Sequence, residues 1–274
     1  MRDNVFAVSN IAWDRHDDGS VLSLLSRFGV TGVEIAPSKV WPDLDQVSEK
    51  EVAEYRKFLA GHGFSVPAFQ AILYGHPELQ VFDRSTHAAF LHRLEQVARI
   101  GSLMGARVLV FGAPKNRKRN GLPYPEAFRL AAEFFHKAGE VAASFGCVLG
   151  IEANPVEYQC DFVTNTADAE LLVKAADSPG VALHIDSGST AMTHEDISRV
   201  LRNCGTPFVH YHISEPMLAN AATGVVDHLS AFRTLKEMGY RGALSVEMKM
   251  SDPELPNLGS ALQKITEALH DAGW

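Results

Sequence analysis

The chain has 274 residues, of which 46% are hydrophobic and 21% are charged, and its formal net charge is −8. This length and composition suit a globular protein with a substantial core, built as one large or two ordinary domains. The negative charge argues against sequence-independent binding to nucleic acid, which needs a basic surface. No apolar run approaches the ~20 residues that a membrane span requires.

The cysteines and the first residues bear on the compartment. Cys147, Cys160 and Cys204 show no paired or C-x-x-C spacing, and an odd number of cysteines fits a reducing cytoplasm better than a disulfide framework. The chain begins with a mixed segment that has polar breaks, which does not match a signal peptide. We therefore expect a cytoplasmic protein.

Strand and helix patterns alternate along the chain. Apolar runs bounded by glycine, proline or polar residues predict eight strands, at 5–12, 32–37, 65–72, 107–112, 147–153, 181–186, 208–214 and 243–248. Apolar residues at helical spacing predict a helix after each strand. Two of these helices have clear start signals, because Ser48 and Glu51 match a capping box and Asp227 matches a helix cap.

Eight strand–helix units predict an α/β fold of the (β/α)8 TIM-barrel type, which typically takes about 250 residues. An open, doubly wound sheet is also built from such units. No G-x-G-x-x-G or Walker A sequence supports a nucleotide-binding sheet, however, and no linker or low-complexity segment interrupts the chain. We therefore predict a single TIM-barrel domain over residues 1–274.

Polar residues collect where the last four predicted strands end. Four successive strands carry, in order, Glu152, Asp186, His212 and Glu247. In a TIM barrel the carboxyl ends of the strands meet at one rim, where active sites lie. Three carboxylates brought together there would repel one another, so we predict a divalent cation between them. Three oxygen donors with one imidazole favour Mn²⁺ or Mg²⁺, with Co²⁺ or Zn²⁺ as alternatives.

Four motifs resemble those of a known superfamily. They are G-I-E-A-N-P at 150–155, H-I-D-S-G at 184–188, H-Y-H-I-S-E-P at 210–216 and L-S-V-E-M-K at 244–249. In this order they resemble the xylose isomerase-like TIM-barrel superfamily. Within it they are most similar to the sugar (phosphate) isomerase/epimerase branch, which contains ketose 3-epimerases, hydroxypyruvate isomerases and inosose-processing enzymes.

The resemblance implies roles for the rim residues. It places Glu152, Asp186, His212 and Glu247 on the metal ligands of the ketose 3-epimerases, and it makes Glu152 and Glu247 the catalytic acid/base pair as well. In such a reaction a cation on the carbonyl and hydroxyl oxygens of a sugar stabilises an enediolate, while one carboxylate removes a C–H proton and the other returns it. The resemblance also implies a homodimer or homotetramer.

We therefore expect a metal-dependent isomerase or epimerase of a small sugar or polyhydroxy carbonyl compound. A dehydratase of an inosose- or dehydroshikimate-like substrate is an alternative, since that lyase would abstract the same proton but expel a β-hydroxyl. An endonuclease of abasic DNA shares the superfamily but would need more histidines and a basic groove. A subunit or binding protein without catalytic activity is the last alternative.

Four further residues are candidates for contact with substrate. His184 and His210 each lie two residues before a predicted ligand, so both should face the barrel interior. There they either bind substrate or orient a ligand, or they are buried neutral side chains. Glu157 lies near the position of a substrate-contacting glutamate in the epimerases. Glu215 either shapes its loop or contacts substrate.

A basic loop at 114–121 follows the fourth predicted strand. Lys115 and Arg117 are candidates for binding a carboxylate or phosphate of the substrate, and a solvated loop that pairs with acidic neighbours is the alternative. Ser189 and Leu218 stand where the ketose 3-epimerases have a histidine and an arginine that contact sugar oxygens. These two departures make an ordinary free ketose a doubtful substrate and leave an anionic one open.

Overall fold

The computed structural model describes residues 4–274. Its strands are β1 (Phe6–Ser9), β2 (Gly32–Glu34), β3 (Ala68–Phe69), β4 (Val108–Phe111), β5 (Val148–Glu152), β6 (Val181–Asp186), β7 (Phe208–Ser214) and β8 (Ala243–Glu247). Parallel pairing orders them β2-β1-β8-β7-β6-β5-β4-β3. Isolated parallel bridges join Gly32 to Ser65 and Ile35 to Phe69, so the two ends of the ladder meet and nearly close a barrel.

Helices surround this barrel. They are α1 (Asp18–Arg27), α2 (Pro37–Val40), α3 (Glu49–Gly61), α4 (His87–Met104), α5 (Tyr124–Ser144), α6 (Thr166–Ala176), α7 (Ser187–Met192), α8 (Ile197–Asn203), α9 (His228–Glu237) and α10 (Glu254–Asp271). The alternation of parallel strands and helices confirms the predicted TIM barrel. Within residues 4–274, no helix combines the length and the hydropathy needed to cross a bilayer.

The strand boundaries differ most from the prediction at β3. The predicted strand at 65–72 is reduced to two residues, because Pro67 has no N–H to donate to the ladder and Ala71 adopts a positive φ of 50°. The short helix α7 was not predicted, and the Asp186 side chain caps it by accepting from the Ser189 amide. The capping box of Ser48 and Glu51 is confirmed at the start of α3.

The packing separates an outer apolar layer from a barrel interior of mixed polarity. Outside the sheet, the Phe111 ring meets Phe135 edge to face at 4.9 Å, which fixes α5 against β4. Inside the barrel, Ala68, Val108 and Val110 form a small apolar cluster under β3 and β4. The polar interior residues are found mainly on the other strands, and these carry the candidate site.

Candidate active site

The carboxyl ends of β5 to β8 bring the four predicted rim residues together. β5 ends at Glu152, β6 at Asp186 and β8 at Glu247, and parallel pairing sets Asp186 beside His212 of β7. All four side chains are nearly or completely buried. Ligand atoms of Asp186, His212 and Glu247 lie within 4.8 Å of one another, so one small ion could contact all three.

His212 has a carboxylate on each side of its ring. Its Nδ1 lies 3.1 Å from Oε2 of Glu247 and 3.7 Å from Oδ2 of Asp186. Its Nε2 donates to Glu34, at 3.0 Å from Oε1 and 3.2 Å from Oε2. The ring is completely buried, so these contacts fix its orientation. Nδ1 therefore faces the rim carboxylates, and Nε2 faces across the barrel towards β2.

Asp186 is held by two short hydrogen bonds. Its Oδ1 accepts from the Ser189 amide at 2.6 Å, and its Oδ2 accepts from the Ser214 hydroxyl at 2.6 Å. The first bond places the carboxylate at the start of α7, and the second ties it to the end of β7. Ser189 is thus engaged through its backbone in orienting Asp186.

Glu152 is confined by its neighbours. Its Oε1 accepts from the Asn154 amide group at 2.8 Å. A Cβ atom at Gly112 would stand 2.0 Å from Oε2, so only glycine leaves room for this carboxylate. Arg117 is completely buried and donates to the Glu152 carbonyl oxygen and to Oδ1 of Asn154, both at 2.7 Å. The position of Glu152 therefore depends on residues of the β4 and β5 loops.

Burial and mutual repulsion affect the carboxyl groups of the rim. Burial, with the charges of Asp186 and Glu247, raises the pKa of Glu152 well above its ordinary value. Burial also raises the pKa of Glu247, and the nearby His212 offsets part of this effect. Without a cation, both glutamates therefore hold a proton more readily than an exposed glutamate does.

The pKa values of His212 and His184 shift in opposite directions. Burial disfavours a charged His212, but Glu34 and Glu247 outweigh it and hold the pKa of His212 well above its ordinary value. Burial, together with His212 and His210, holds the pKa of His184 well below its ordinary value. Burial opposes a charged Glu34, but His212 and His210 outweigh it and hold the pKa of Glu34 well below its ordinary value.

The donor set fits a divalent cation. Buried carboxylates stand close together around His212 Nδ1, and in the part of the chain that the structure describes no lysine or arginine forms an ion pair with the side chains of Glu152, Asp186 or Glu247. A cation at this point would offset their repulsion and their loss of hydration. Oxygen donors with one imidazole match a hard or borderline divalent ion.

His184 and His210 lie inside the barrel, next to His212. Pairing sets His184 beside His210, and their rings stack at 5.4 Å. His184 also meets the His212 ring edge-on at 4.3 Å, and Glu152, His184 and His212 offer ligand atoms within 4.8 Å of one another. His210 donates through Nε2 to Oε2 of Glu34 at 3.2 Å. Both histidines thus contact the groups around the rim site.

The other predicted candidates are spread more widely. Glu157 is exposed in the single turn Val156–Tyr158 after β5, and Lys115 is exposed in the turn Pro114–Arg117 after β4. Arg117 of that turn points inward and supports the β5 loop. The Glu215 carboxylate accepts from the Val225 and Val226 amides and pairs with His228, so it shapes the β7–α9 loop.

Glu34 is the residue that the sequence analysis missed. It is completely buried at the end of β2 and contacts His210 and His212, which are more than 170 positions away along the chain. The available signal was an acidic residue at the carboxyl end of an apolar strand, which is the same signal that identified Glu152, Asp186 and Glu247.

A cavity of about 440 Å³ lies beside the rim site, at the ends of β3 and β4. Gly112 lines this cavity and also lies against the Glu152 carboxylate, so the two spaces adjoin. Its lining is mostly apolar and includes Ile72, Leu73, Val110 and Ala113. Lys115 brings a positive charge to it. A larger cavity, of about 630 Å³, lies at the amino end of the barrel, away from the rim carboxylates.

Comparison with known proteins gives both sequence and structural relatives. Residues 22–269 match the family described as "Xylose isomerase-like TIM barrel". An L-ribulose 3-epimerase of Methylomonas sp. (strain DH-1) is 24% identical to this chain over 115 residues. That matched segment makes up 42% of this chain and only 40% of the length of the epimerase.

Solved structures of sugar epimerases are similar over nearly the whole chain. The structure of an L-ribulose 3-epimerase has a TM-score of 0.80 and 17% identity, covering 99% of this chain and 96% of its own. A D-psicose 3-epimerase from Clostridium cellulolyticum H10, solved with D-tagatose, has a TM-score of 0.80 and 14% identity, with coverages of 97% and 99%. A 3-keto-D-glucoside 4-epimerase from E. coli has a TM-score of 0.78 and 15% identity, with coverages of 96% and 99%.

At these identities the solved structures establish the fold, and the family match covers most of the chain. The structural neighbours are sugar epimerases, as the resemblance of the strand-end motifs implied. The chain belongs to the xylose isomerase-like TIM-barrel family.

Proposed function

We propose that the protein is a divalent-metal-dependent epimerase or isomerase of a small sugar or polyhydroxy carbonyl compound. The observation that carries this proposal is the convergence of two buried glutamates, Glu152 and Glu247, on the same rim as Asp186 and His212. The named relatives support it, since they are sugar epimerases on the same fold. For that reason we prefer this function to the dehydratase alternative.

The four rim residues, Glu152, Asp186, His212 and Glu247, would hold the ion. Their donor set favours Mn²⁺ or Mg²⁺ over Co²⁺ and Zn²⁺, because three of the four ligands are carboxylates. When bound, such an ion supplies positive charge to the substrate's carbonyl and hydroxyl oxygens, which makes the adjacent C–H bond more acidic. Asp186 is held by hydrogen bonds from the start of α7 and from the end of β7, and its proposed role is to bind the ion.

Glu152 and Glu247 are the proposed proton carriers. Both are buried carboxylates on the same rim, and a carboxylate can accept and return a proton. Asn154 orients Glu152 through its amide group, and His212 Nδ1 lies against Glu247. One glutamate takes the proton from the carbon beside the carbonyl, and the other delivers a proton to the opposite face. That exchange inverts the carbon and gives an epimer, whereas transfer between neighbouring carbons and oxygens gives an isomer.

The cavity beside Glu152 is the proposed space for the rest of the substrate. Its apolar walls suit the carbon face of a sugar, and Lys115 could pair with an anionic group. The ketose 3-epimerases, which the strand-end motifs resemble, have a sugar-contacting histidine and arginine where this chain has Ser189 and Leu218. We therefore propose that substrate recognition differs from that of the ketose 3-epimerases and relies more on the β3 and β4 loops.

The test is a substrate screen in D₂O with added Mn²⁺. The panel contains ketoses, inososes and their oxidised or phosphorylated forms, and proton NMR follows each one. We expect one class to give an epimer or isomer with deuterium at the carbon beside the carbonyl, and chelation to stop the reaction. Loss of water from the product would instead identify a dehydratase. Absence of both metal binding and turnover would point to a protein without catalytic activity.

A further inference from the structure

Glu34 is a completely buried carboxylate whose partners are two imidazoles of one strand. Within residues 4–274 no lysine or arginine pairs with it, and its ion-pair contacts are to His212 at 3.0 Å and His210 at 3.2 Å. A buried carboxylate is unfavourable unless hydrogen bonds compensate for its lost hydration. We therefore expect a carboxylate that is buried at this point to have a role that a neutral side chain would not fill.

The geometry of His212 indicates that role. A histidine that binds a cation is neutral, whatever its charge without the ion, and its ring then has one N–H donor and one nitrogen with a free lone pair. Glu34 can only accept a hydrogen bond, so its contact with Nε2 places the ring proton on that nitrogen. The lone pair then lies on Nδ1, which faces Asp186 and Glu247. A carboxylate behind a metal-binding histidine orients the ring and raises its basicity in the same way.

The surrounding rings reinforce this arrangement. His210 donates to the same Glu34 carboxylate, so the carboxylate cannot move without losing a second hydrogen bond. His184 packs edge-on against His212 at 4.3 Å and fills the space beside its ring. Residues of β2, β6 and β7 thus restrict His212 to one orientation.

We propose that Glu34 is a positioning residue that holds His212 with its proton on Nε2 and its Nδ1 lone pair directed at the cation site. The inference rests on the proposed function, since it takes Asp186, His212 and Glu247 to bind a cation. Glu34 touches neither substrate nor cation in this arrangement and acts through His212. Its effect should therefore appear first in the affinity for the ion.

A different role for Glu34 would be direct ligation of a second ion. Ligand atoms of Glu34, His210 and His212 also lie within 4.8 Å of one another. The distances of 3.0 to 3.2 Å between carboxylate and ring nitrogens are those of ordinary hydrogen bonds, which favours positioning. The number of ions bound per chain separates the two roles.

The experiment titrates metal-free protein with Mn²⁺ by isothermal titration calorimetry, in the wild type and three variants. Glu34→Gln removes the charge and keeps the shape, whereas Glu34→Asp keeps the charge on a shorter side chain. Glu170→Gln is the control, because Glu170 pairs with Lys174 on α6, outside the barrel. Thermal unfolding of the metal-free proteins checks that each variant is folded.

We expect the wild type and Glu170→Gln to bind one Mn²⁺ per chain with equal affinity. Glu34→Gln should bind one ion about 10- to 100-fold more weakly, which is the range for loss of such a partner, and Glu34→Asp should lie between. In Zn²⁺-loaded protein labelled with ¹⁵N-histidine, the Nε2–H resonance of His212 should shift in Glu34→Gln.

Three other outcomes would overturn the positioning role of Glu34, and the last of them would also overturn the proposed function. Equal Mn²⁺ affinity in folded Glu34→Gln and wild type overturns the positioning role and leaves the proposed function intact. Two ions in the wild type and one in Glu34→Gln overturn it as well, because Glu34 is then a ligand. A wild-type protein that binds no Mn²⁺, Mg²⁺, Co²⁺ or Zn²⁺ overturns the metal-dependent function and the inference together.

Discussion

The two halves of the barrel are built differently. The strands β5 to β8 have 5, 6, 7 and 5 residues, and their inner faces carry the rim carboxylates and the imidazoles, whereas Glu34 lies on β2. The strands β1 to β4 have only 4, 3, 2 and 4 residues, and Ala68, Val108 and Val110 make part of their interior apolar. The candidate rim residues therefore concentrate on the regular half, whereas the irregular half leaves the cavity beside Glu152.

The difference follows from the different requirements of proton transfer and of substrate binding. Proton transfer needs groups held within a fraction of an ångström, and long parallel ladders supply this, since pairing fixes Asp186 beside His212 and Ser214 beside Glu247. Room for a substrate needs the opposite, namely strands that stop early and loops that turn away. Changes on the inner face of the regular half should therefore affect the reaction rate directly. Changes in the irregular half should act through the position of Glu152 or through substrate choice.

The largest effect is expected from removing either proposed proton carrier. Glu152→Gln and Glu247→Gln keep the shape of the side chain and lose its ability to carry a proton. We expect kcat to fall by about 10³-fold or more, within the range for loss of a general acid or base. Steady-state kinetics on the substrate found by the screen measures this, with circular dichroism to show that the barrel is folded.

Glu267→Gln is the control for that experiment, because Glu267 is exposed on α10 and loses the same charge outside the barrel. It should retain wild-type kinetics. Near-wild-type kcat in either Glu152→Gln or Glu247→Gln would contradict the acid/base assignment. It would also contradict the expectation that the reaction rate depends on the inner face of β5 to β8.

A smaller loss should come from the irregular half, through Gly112. In Gly112→Ala the new methyl would stand 2.0 Å from Oε2 of Glu152, so the carboxylate must move. A displacement of this kind costs about 10²-fold in rate when the group must be aligned with its substrate. Gly19→Ala is the matched control, because nothing lies within 4 Å of a Cβ there. Full activity in Gly112→Ala would show that Glu152 tolerates displacement.

Much of this architecture could be predicted from the sequence, for physical reasons. Strand alternation determines which residues face inward, and the strand–helix repeat places Glu152, Asp186 and Glu247 at one rim. These signals are local, so they can be read without knowing the fold in detail. The chemical roles of the rim residues stay predictions, since geometry shows proximity and not turnover.

The features that could not be predicted depend on the path of the closed barrel. The contact between Glu34 and His212 joins strands that are far apart in sequence, and only closure brings them across the interior. The direction of Arg117 depends on a single turn without periodicity, so the sequence did not distinguish it from exposed Lys115. The shortness of β3, by contrast, could have been predicted, because Pro67 within the expected strand has no N–H to donate.

A substitution on the outward face of β5 should affect stability, whereas one on its inward face should affect the reaction rate. Ile151 is completely buried on the helix side of the strand, next to Glu152. Ile151→Val should lower the free energy of unfolding by about 1 kcal/mol, the usual effect of removing one buried methylene-sized group, and leave kcat unchanged. Urea unfolding and kinetics measure the two quantities. A tenfold fall in kcat in a stable protein would show that the outer layer sets the rim geometry.

The smallest expected effect concerns Lys115, which tests whether the irregular half selects charged substrates. Lys115 is exposed, and an exposed ion pair contributes about 0.2–1 kcal/mol, so Lys115→Ala should raise KM for an anionic substrate by at most about fivefold. KM for a neutral analogue should not change, and the difference should shrink at high salt because ions screen the pair. Lys137→Ala, on exposed helix surface of α5, is the control. If KM rises equally for charged and neutral substrates, Lys115 shapes the cavity instead of recognising charge, and selectivity must then lie elsewhere in the β3 and β4 loops.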